Sequence, residues 1–337
     1  MTFLLTIFGI LTLAILLAVA NTIRHVRRFE RQWPPLGRIA QTPRRRIHYH
    51  DIPSSNPARD ETPVVFIHGA SGNLRDQVAA FAPIIGGRFR AIFVDRPGAG
   101  YTERKPGDHD PHEQAGIVAD ILDHLGIERA IVCGHSYGAG CAATFAIDCP
   151  DRVAQLVLLA PASHPWPGRL SWPYRLAATP GIREFVTWTI AVPLGLRMIP
   201  DGVAATFAPD GTPEGYGDEA GIPLMLRPRN FLANAADILY IKRHASNLSP
   251  RYREIEAPTL IVSGTADAVV RHTIHAVGLH RAIPNAVLRE VPGMGHKPDY
   301  VMARTVCERL TVMVQEECPD ARRPEPLDRA LMLVAAQ

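Results

Sequence analysis

The stretch Ile131-Val132-Cys133-Gly134-His135-Ser136-Tyr137-Gly138-Ala139-Gly140 constrains this chain more than any other. Ala130 to Cys133 is short and apolar with a β-branched pair, the pattern of a buried strand. Ala139 to Cys149 is small and apolar with good helix formers, so a helix is expected to follow at once. Between them lies Gly134-x-Ser136-x-Gly138. A strand that turns abruptly into a helix pushes one side chain out at the tip, and flanking glycines relieve the close approach of the two backbones. The exposed residue is Ser136. The N–H groups beside it head a helix, where they can stabilise an oxyanion. An idle serine in a Gly-rich turn would carry the same motif, so the surrounding elements decide its meaning.

Those elements alternate. Pro63-Val64-Val65-Phe66-Ile67 reads as a buried strand ending in His68-Gly69-Ala70-Ser71-Gly72, and Ala91-Ile92-Phe93-Val94 as a second ending in Asp95-Arg96-Pro97-Gly98-Ala99-Gly100. His112 to Leu125 has the periodicity of an amphipathic helix closed by Gly126. Further apolar runs follow at Val153–Leu159, Thr259–Ser263 and Ala286–Val291, with helical patterns at Arg271–Ala282 and Val301–Glu317. Short strands that are apolar throughout, separated by helices, predict an α/β fold with a mostly parallel central sheet covered on both faces. Arg45–His50 alternates weakly and is expected at an edge.

Residues 163–258 interrupt the alternation with Trp166, Trp172 and Trp188 and helix-like pieces at Tyr174–Ala178, Ile182–Ile190 and Phe231–His244. Ala208–Pro223 reads as a loop. An insertion at the C-terminal edge of such a sheet sits over the ligand crevice, so a helical cap is expected. The three tryptophans, with Phe185 and Val186 nearby, are candidate substrate-binding walls. Core packing inside the cap is the alternative for any one of them. The expected organisation is therefore 1–22 as an anchor, 23–62 as a basic linker and edge strand, 63–162 with 259–317 as the core, 163–258 as the cap and 318–337 as a tail, docked or frayed.

Thr2 to Ala20 holds no charged residue and, as a helix at ~1.5 Å per residue, reaches roughly 29 Å, about the thickness of a bilayer core. Ala18-Val19-Ala20 resembles a signal-peptide cleavage site, which is the competing reading. No Lys or Arg precedes the run, however, and the run is longer than an ordinary signal core. Arg24, Arg27, Arg28 and Arg31 follow it. That asymmetry predicts a single-pass transmembrane helix with the rest of the chain in the cytoplasm.

Charge and cysteine usage narrow the classes. A net charge of +3 over 337 residues gives no basis for nucleic-acid binding. The 5 cysteines include no C-x-x-C pair and read as small core residues in a reducing compartment. No Cys/His spacing points to a metal, and no cofactor is implied.

Taken in order, His68-Gly69, Asp95-Arg96-Pro97-Gly98-x-Gly100, Gly134-x-Ser136-x-Gly138, Gly264-Thr265-Ala266-Asp267 and Gly293-Met294-Gly295-His296 resemble the α/β-hydrolase fold family in its capped serine hydrolase branch, which includes esterases and lipases. The likeness runs from about Pro63 to about Leu310. It implies a triad in the order nucleophile, acid, base: Ser136, Asp267 and His296. Both partners follow predicted strands and so lie on the sheet edge that carries Ser136. Asp267 has no rival after Val153–Leu159, where Ala160-Pro161-Ala162-Ser163 offers no carboxylate. The oxyanion hole is expected from the N–H groups of Tyr137 and Ala70. Asp95, before a tight Pro-Gly turn, is expected to be structural. Family members that attack sp³ carbon carry aspartate at the elbow, so Ser136 implies attack on a carbonyl of an ester or related acyl compound, with an apolar small-molecule substrate. A C–C bond hydrolase, a perhydrolase-like activity, and a catalytically silent membrane-anchored binding protein remain open.

Overall fold

The computed structural model describes residues 2–60, 62–167, 179 and 181–317. Its centre is an eight-stranded sheet in the order β1-β2-β4-β3-β5-β6-β7-β8. The strands are β1 (Arg38–Gln41), β2 (Arg46–Ile52), β3 (Val64–Ile67), β4 (Ala91–Val94), β5 (Ala130–His135), β6 (Val153–Leu159), β7 (Thr259–Gly264) and β8 (Ala286–Val291). The β1–β2 and β2–β4 pairings are antiparallel, and the remaining five are parallel. Strands β3 to β7 are buried at every position, which explains their continuous apolar runs.

Alternate residues of those runs feed different faces. Val65, Ile67, Ile92 and Val132 pack in a core with α3 (Pro111–Leu125), α4 (Tyr137–Asp148) and α9 (Ala276–Ala282). Val64, Phe66, Phe93, Ile131 and Cys133 pack in a second core with α2 (Leu74–Ile85) and α10 (Ala303–Glu316). Two caps fix the helices beside the site. The Asn73 side chain accepts from the Arg75 N–H at the start of α2, and Asp110 does the same for His112 at α3. Gly86 and Gly126, at φ of 52° and 66°, close the two helices in a conformation a Cβ disfavours.

Between β6 and β7 lie α5 (Arg183–Thr189), α6 (Ala191–Phe207), the single turn α7 (Tyr216–Glu219) and α8 (Pro228–Leu248). Ala191, Val192, Leu224, Leu226, Phe231 and Ala235 form a cluster of their own there. The helix-like piece expected at Tyr174–Ala178, with Trp172, and the tail 318–337 lie outside the described residues. Helix α6 was not expected, and Ala208–Pro223 is not wholly a loop, since it contains α7.

The N-terminal segment departs most from expectation. Helix α1 runs unbroken over Thr2–Gln32, so the region expected as linker and edge strand is helical for its first quarter. Nothing between Thr22 and Gln32 breaks a helix, and the break comes at Trp33-Pro34-Pro35, where proline disfavours helical backbone in the preceding residue. Phe29 and Trp33 at the end of α1 insert into the α6–α8 cluster. The Arg227 guanidinium donates to Glu30 at 3.1 Å, and the Trp33 indole N–H donates to the Asp218 carbonyl at 2.7 Å. Upstream, α1 is long and apolar enough to cross a membrane and exposes its apolar residues. β2 is not the edge strand, because β1, drawn from the expected linker, covers it.

Candidate active site

Ser136 sits between β5 and α4 with φ 55° and ψ −117°, a conformation that costs of order 1–3 kcal/mol and is held by its surroundings. Its N–H donates to the Leu159 carbonyl at 2.8 Å. A Cβ at Gly134 would collide with the Gly138 carbonyl, and one at Gly138 with the carbonyls of Ile67 and His68. The motif glycines are therefore dictated by backbone contact on two sides of the turn.

The residues expected as partners converge there. His296 Nε2 lies 3.0 Å from Ser136 Oγ, and His296 Nδ1 lies 2.7 Å from Asp267 Oδ2. With Nδ1–H donating to the carboxylate, Nε2 is the basic nitrogen facing the hydroxyl. The other Asp267 oxygen accepts the N–H groups of Val269 and Val270, each at 2.8 Å. All three side chains are buried. Close packing also sets the loop of His296: a Cβ on Gly264 would strike the Met294 carbonyl, and one on Gly295 the Ala208 carbonyl at the end of α6. The Gly295 N–H donates to the Asp210 carboxylate at 2.7 Å, and His135 Nε2 donates to the His296 carbonyl at 3.0 Å.

Tyr137 heads α4, so its N–H has no partner within the helix. Ala70 lines the cavity beside Ser136. The loop carrying Ala70 is braced by residues to which no role was assigned from the sequence. Arg96 is buried and donates to the carbonyls of His68 and Gly69, both at 3.2 Å, to Gln114 at 3.1 Å and to Asp237 of α8 at 2.9 Å. Asn234, also on α8, accepts the Ser71 N–H at 2.7 Å. Asp95 is away from the triad: it accepts from His48 Nδ1 at 2.5 Å and from the N–H groups of Leu74 and Tyr101. Burial opposes its ionisation, but His48, His68 and the Leu74 N–H outweigh that and hold its pKa at about 2.

Behind Ser136 is a cavity of about 430 Å³. Its walls are mostly aliphatic and come from α6 and its neighbours, including Ile190, Leu194, Met198, Val203 and Met225. Among the described residues, the expected tryptophans do not wall the cavity. Phe185 and Trp188 are exposed on α5, and Trp166 packs edge-on to His275 at 5.4 Å, while Val186 does line the cavity. α5 turns Val186 inward, and a helix that does so must turn residues two positions away outward.

Lys297 lies on the cavity wall and is 1 % exposed. Its Nζ donates to Asp76 at 2.9 Å and Asp299 at 2.9 Å, with the Tyr300 ring 4.8 Å away. Burial works against its charge, but Asp299 and Asp76 more than compensate and raise its pKa. Asp76, His135 and Asp299 converge closely enough to suggest a metal site. The Lys297 ammonium already bonds both carboxylates, so the group does not fit a cation.

Three buried histidines near the triad are held neutral. His68 and His135 are pushed down to about 4, chiefly by burial, with Arg96 acting on the first; in the second Asp299 opposes the shift and Lys297 adds to it. His275, whose Nδ1 accepts the N–H groups of Ser163 and His164, is likewise lowered to about 4 by burial. Below the ordinary 6.5 the unfolded chain takes up protons that the folded one refuses. Their contribution to stability is complete above that pH and is lost as pH falls toward about 4, at on the order of 1 kcal/mol per pH unit for each group. Denaturant midpoints measured between neutral pH and about pH 5 should fall accordingly, and a flat profile would contradict the neutral assignment.

A family model described as alpha/beta hydrolase fold matches residues 62–188. The 2-hydroxy-6-oxo-6-phenylhexa-2,4-dienoate hydrolase of Burkholderia cepacia is 26% identical over 266 residues, covering 74% of this chain and 85% of that protein. The dihydrolipoyllysine-residue acetyltransferase component of the acetoin cleaving system of Cupriavidus necator is 37% identical over 98 residues, 29% of this chain, which spans only 26% of that protein. The solved esterase of Exiguobacterium antarcticum superposes with a TM-score of 0.66 at 19% identity, over 83% of this chain and 100% of that one. This chain has the α/β-hydrolase fold, and the proteins it resembles include a hydrolase and an esterase.

Proposed function

We propose that the protein is a membrane-anchored serine hydrolase that cleaves esters or related compounds with an apolar acyl group. The unbroken hydrogen-bonded path from Ser136 Oγ through His296 to Asp267 carries this reading. His296 Nε2 takes the hydroxyl proton as Ser136 Oγ bonds to the carbonyl carbon. The N–H groups of Tyr137 and Ala70 receive the oxyanion, and Asp267 stabilises the imidazolium. Collapse breaks the bond to the leaving alcohol, which takes the proton from Nε2. Water, deprotonated by the same nitrogen, then releases the acid and restores Ser136. The core spans 63–162 and 259–317, covered by 163–258 and tethered through residues 1–22. Against a cleaved leader, Ala18 and Val19 lie half-buried and Thr22 buried within the continuous helix α1. The arginines after the apolar run favour a cytoplasmic catalytic region.

Labelling by a fluorophosphonate, lost in Ser136→Ala, tests the nucleophile and separates an enzyme from a silent binding protein. A series of activated esters tests the substrate class. With aliphatic walls, each added methylene is worth at most ~0.8 kcal/mol, so kcat/KM should climb up to about fourfold per methylene until the cavity is full. A flat series or a preference for charged acyl groups would count against the apolar site.

A C–C bond hydrolase is the second reading, favoured by the Burkholderia cepacia relative named for a dienoate. A carboxylate-bearing substrate needs a free cation. Among the described residues lining the cavity the only lysine or arginine is Lys297, engaged by Asp76 and Asp299. That supports the ester reading. Faster decay of a 2-hydroxy-6-oxo-dienoate than of any ester would reverse the choice.

A further inference from the structure

The outer surface of α5 is apolar where a solvent-facing helix should be polar. Ile182 at its N-cap, Phe185 and Trp188 are spaced three apart and are 42 %, 48 % and 38 % exposed, while Val186, Thr187 and Thr189 are buried. The stripe is contiguous with the apolar helix at the N-terminus, because α5 packs along α1. The buried and half-buried face of α1 begins at Ala18 and Val19, inside its uncharged run, and continues through Thr22, Val26 and Phe29. α5 therefore stands beside α1 near the level at which the apolar run ends. Arg24, Arg27 and Arg28 project from α1 there, where lipid headgroups would meet them, while Arg183 and Glu184, paired with each other at 2.6 Å, lie beside the stripe. Helices α5 and α6, joined through a 71° bend, are together as long and apolar as a membrane-crossing segment. The short helix α5 thus carries the exposed apolar stripe and also supplies Val186 to the cavity.

We infer that α5 docks in the interface of a lipid bilayer, seating Ile182, Phe185 and Trp188 among the acyl chains, and that the cavity draws the acyl group of its substrate from that bilayer. This rests on the readings of α1 as an anchor and Ser136 as the nucleophile of an acyl hydrolase. A bilayer fits better than a protein partner because the stripe continues the apolar surface of α1, whose end is marked by the exposed Arg24, Arg27 and Arg28. The cavity is then separated from the acyl chains by a single helix, and a water-insoluble ester need not pass through solvent.

The test uses the full-length chain in vesicles of phosphatidylcholine and phosphatidylglycerol. With phosphatidylcholine brominated on its acyl chains, tryptophan emission should be quenched, and the Trp188 share of that quenching should vanish in Trp188→Leu. Equal quenching in the two proteins overturns the docking, including the case in which a second copy of the chain covers the stripe. Kinetics supply an independent arm. Ile182→Asp with Phe185→Asp should lower kcat/KM on a long-chain ester dissolved in the vesicles by at least about tenfold. Because neither Ile182 nor Phe185 lines the cavity, the same variant should hydrolyse a short soluble ester as the unaltered protein does. Equal losses on both esters, or none on either, overturn the proposal that the substrate arrives through the bilayer. Two outcomes belong to the underlying readings instead. A protein that hydrolyses no ester and takes no fluorophosphonate refutes the acyl-hydrolase reading, while the quenching still decides the docking. A protein that fails to float with vesicles refutes the anchor and the docking together.

Discussion

Replacing Ser136 with alanine is expected to lower turnover of an activated ester on the order of a millionfold, and His296→Ala should do nearly the same. The two act as one unit across 3.0 Å, so the double variant should be little worse than either alone. Asp267→Asn should cost less, about ten-thousandfold, because nucleophile and base remain while the imidazole is held in the wrong tautomer. The other carboxylates near the site are committed elsewhere: Asp95 to His48, Leu74 and Tyr101, and Asp299 to Lys297. Measured on folded proteins, near-normal turnover in Asp267→Ala together with loss in Asp95→Ala or Asp299→Ala would overturn the assignment.

The second large effect concerns stability. Lys297→Met keeps the length of the side chain and removes its charge, leaving Asp76 and Asp299 buried against each other and against His135. Stranding buried charge in this way costs about 3–5 kcal/mol. Adding Asp76→Asn and Asp299→Asn removes the stranded charge, so the triple variant should recover much of the loss, with a coupling far from additive. Denaturant unfolding of the unaltered chain, Lys297→Met, the Asp76→Asn and Asp299→Asn double variant and the triple variant in one detergent measures this. If Lys297→Met is as stable as the unaltered chain, the cluster is not the fixed ion network its geometry describes. Lys297 adjoins His296 in sequence, so fluorophosphonate labelling of the variant also reports whether the loop has moved.

The parts of the molecule legible in the sequence are those whose physics is local. Strands β3 to β7 are buried on both faces, so each reads as an apolar run. Gly134, Gly138, Gly264 and Gly295 stand where backbones touch, and glycine leaves a visible mark when it does so beside a serine, an aspartate or a histidine. Helix α6 was illegible because Pro193, Gly195, Pro200 and Gly202 all argue against a helix. Gly195 is there because Leu226 packs onto it, a contact that no local pattern records. The cavity walls were misread for the same reason: the aliphatic side chains of α6 do that work, while Trp188 faces outward. Lys297 beside a histidine loop looks like a surface cation, and its partner Asp76 is 221 positions away. Arg96 was visible as part of a motif, but its bond to Asp237 joins segments 141 residues apart.

The join between Gly295 and the end of α6 has a mechanical consequence. The Ala208 carbonyl fills the space a side chain would occupy on Gly295, and Asp210 holds the Gly295 N–H. The segment that covers the cavity and the loop that carries His296 are thus clamped one residue before the imidazole. A swing of that covering segment as a free hinge would tug the imidazole off Ser136 Oγ. The site therefore stays aligned only if entry leaves this clamp shut, and widening must be confined to the far end, where α5 meets α6. Loading a substrate and keeping the proton path intact are in this way assigned to opposite ends of the same seventeen-residue helix.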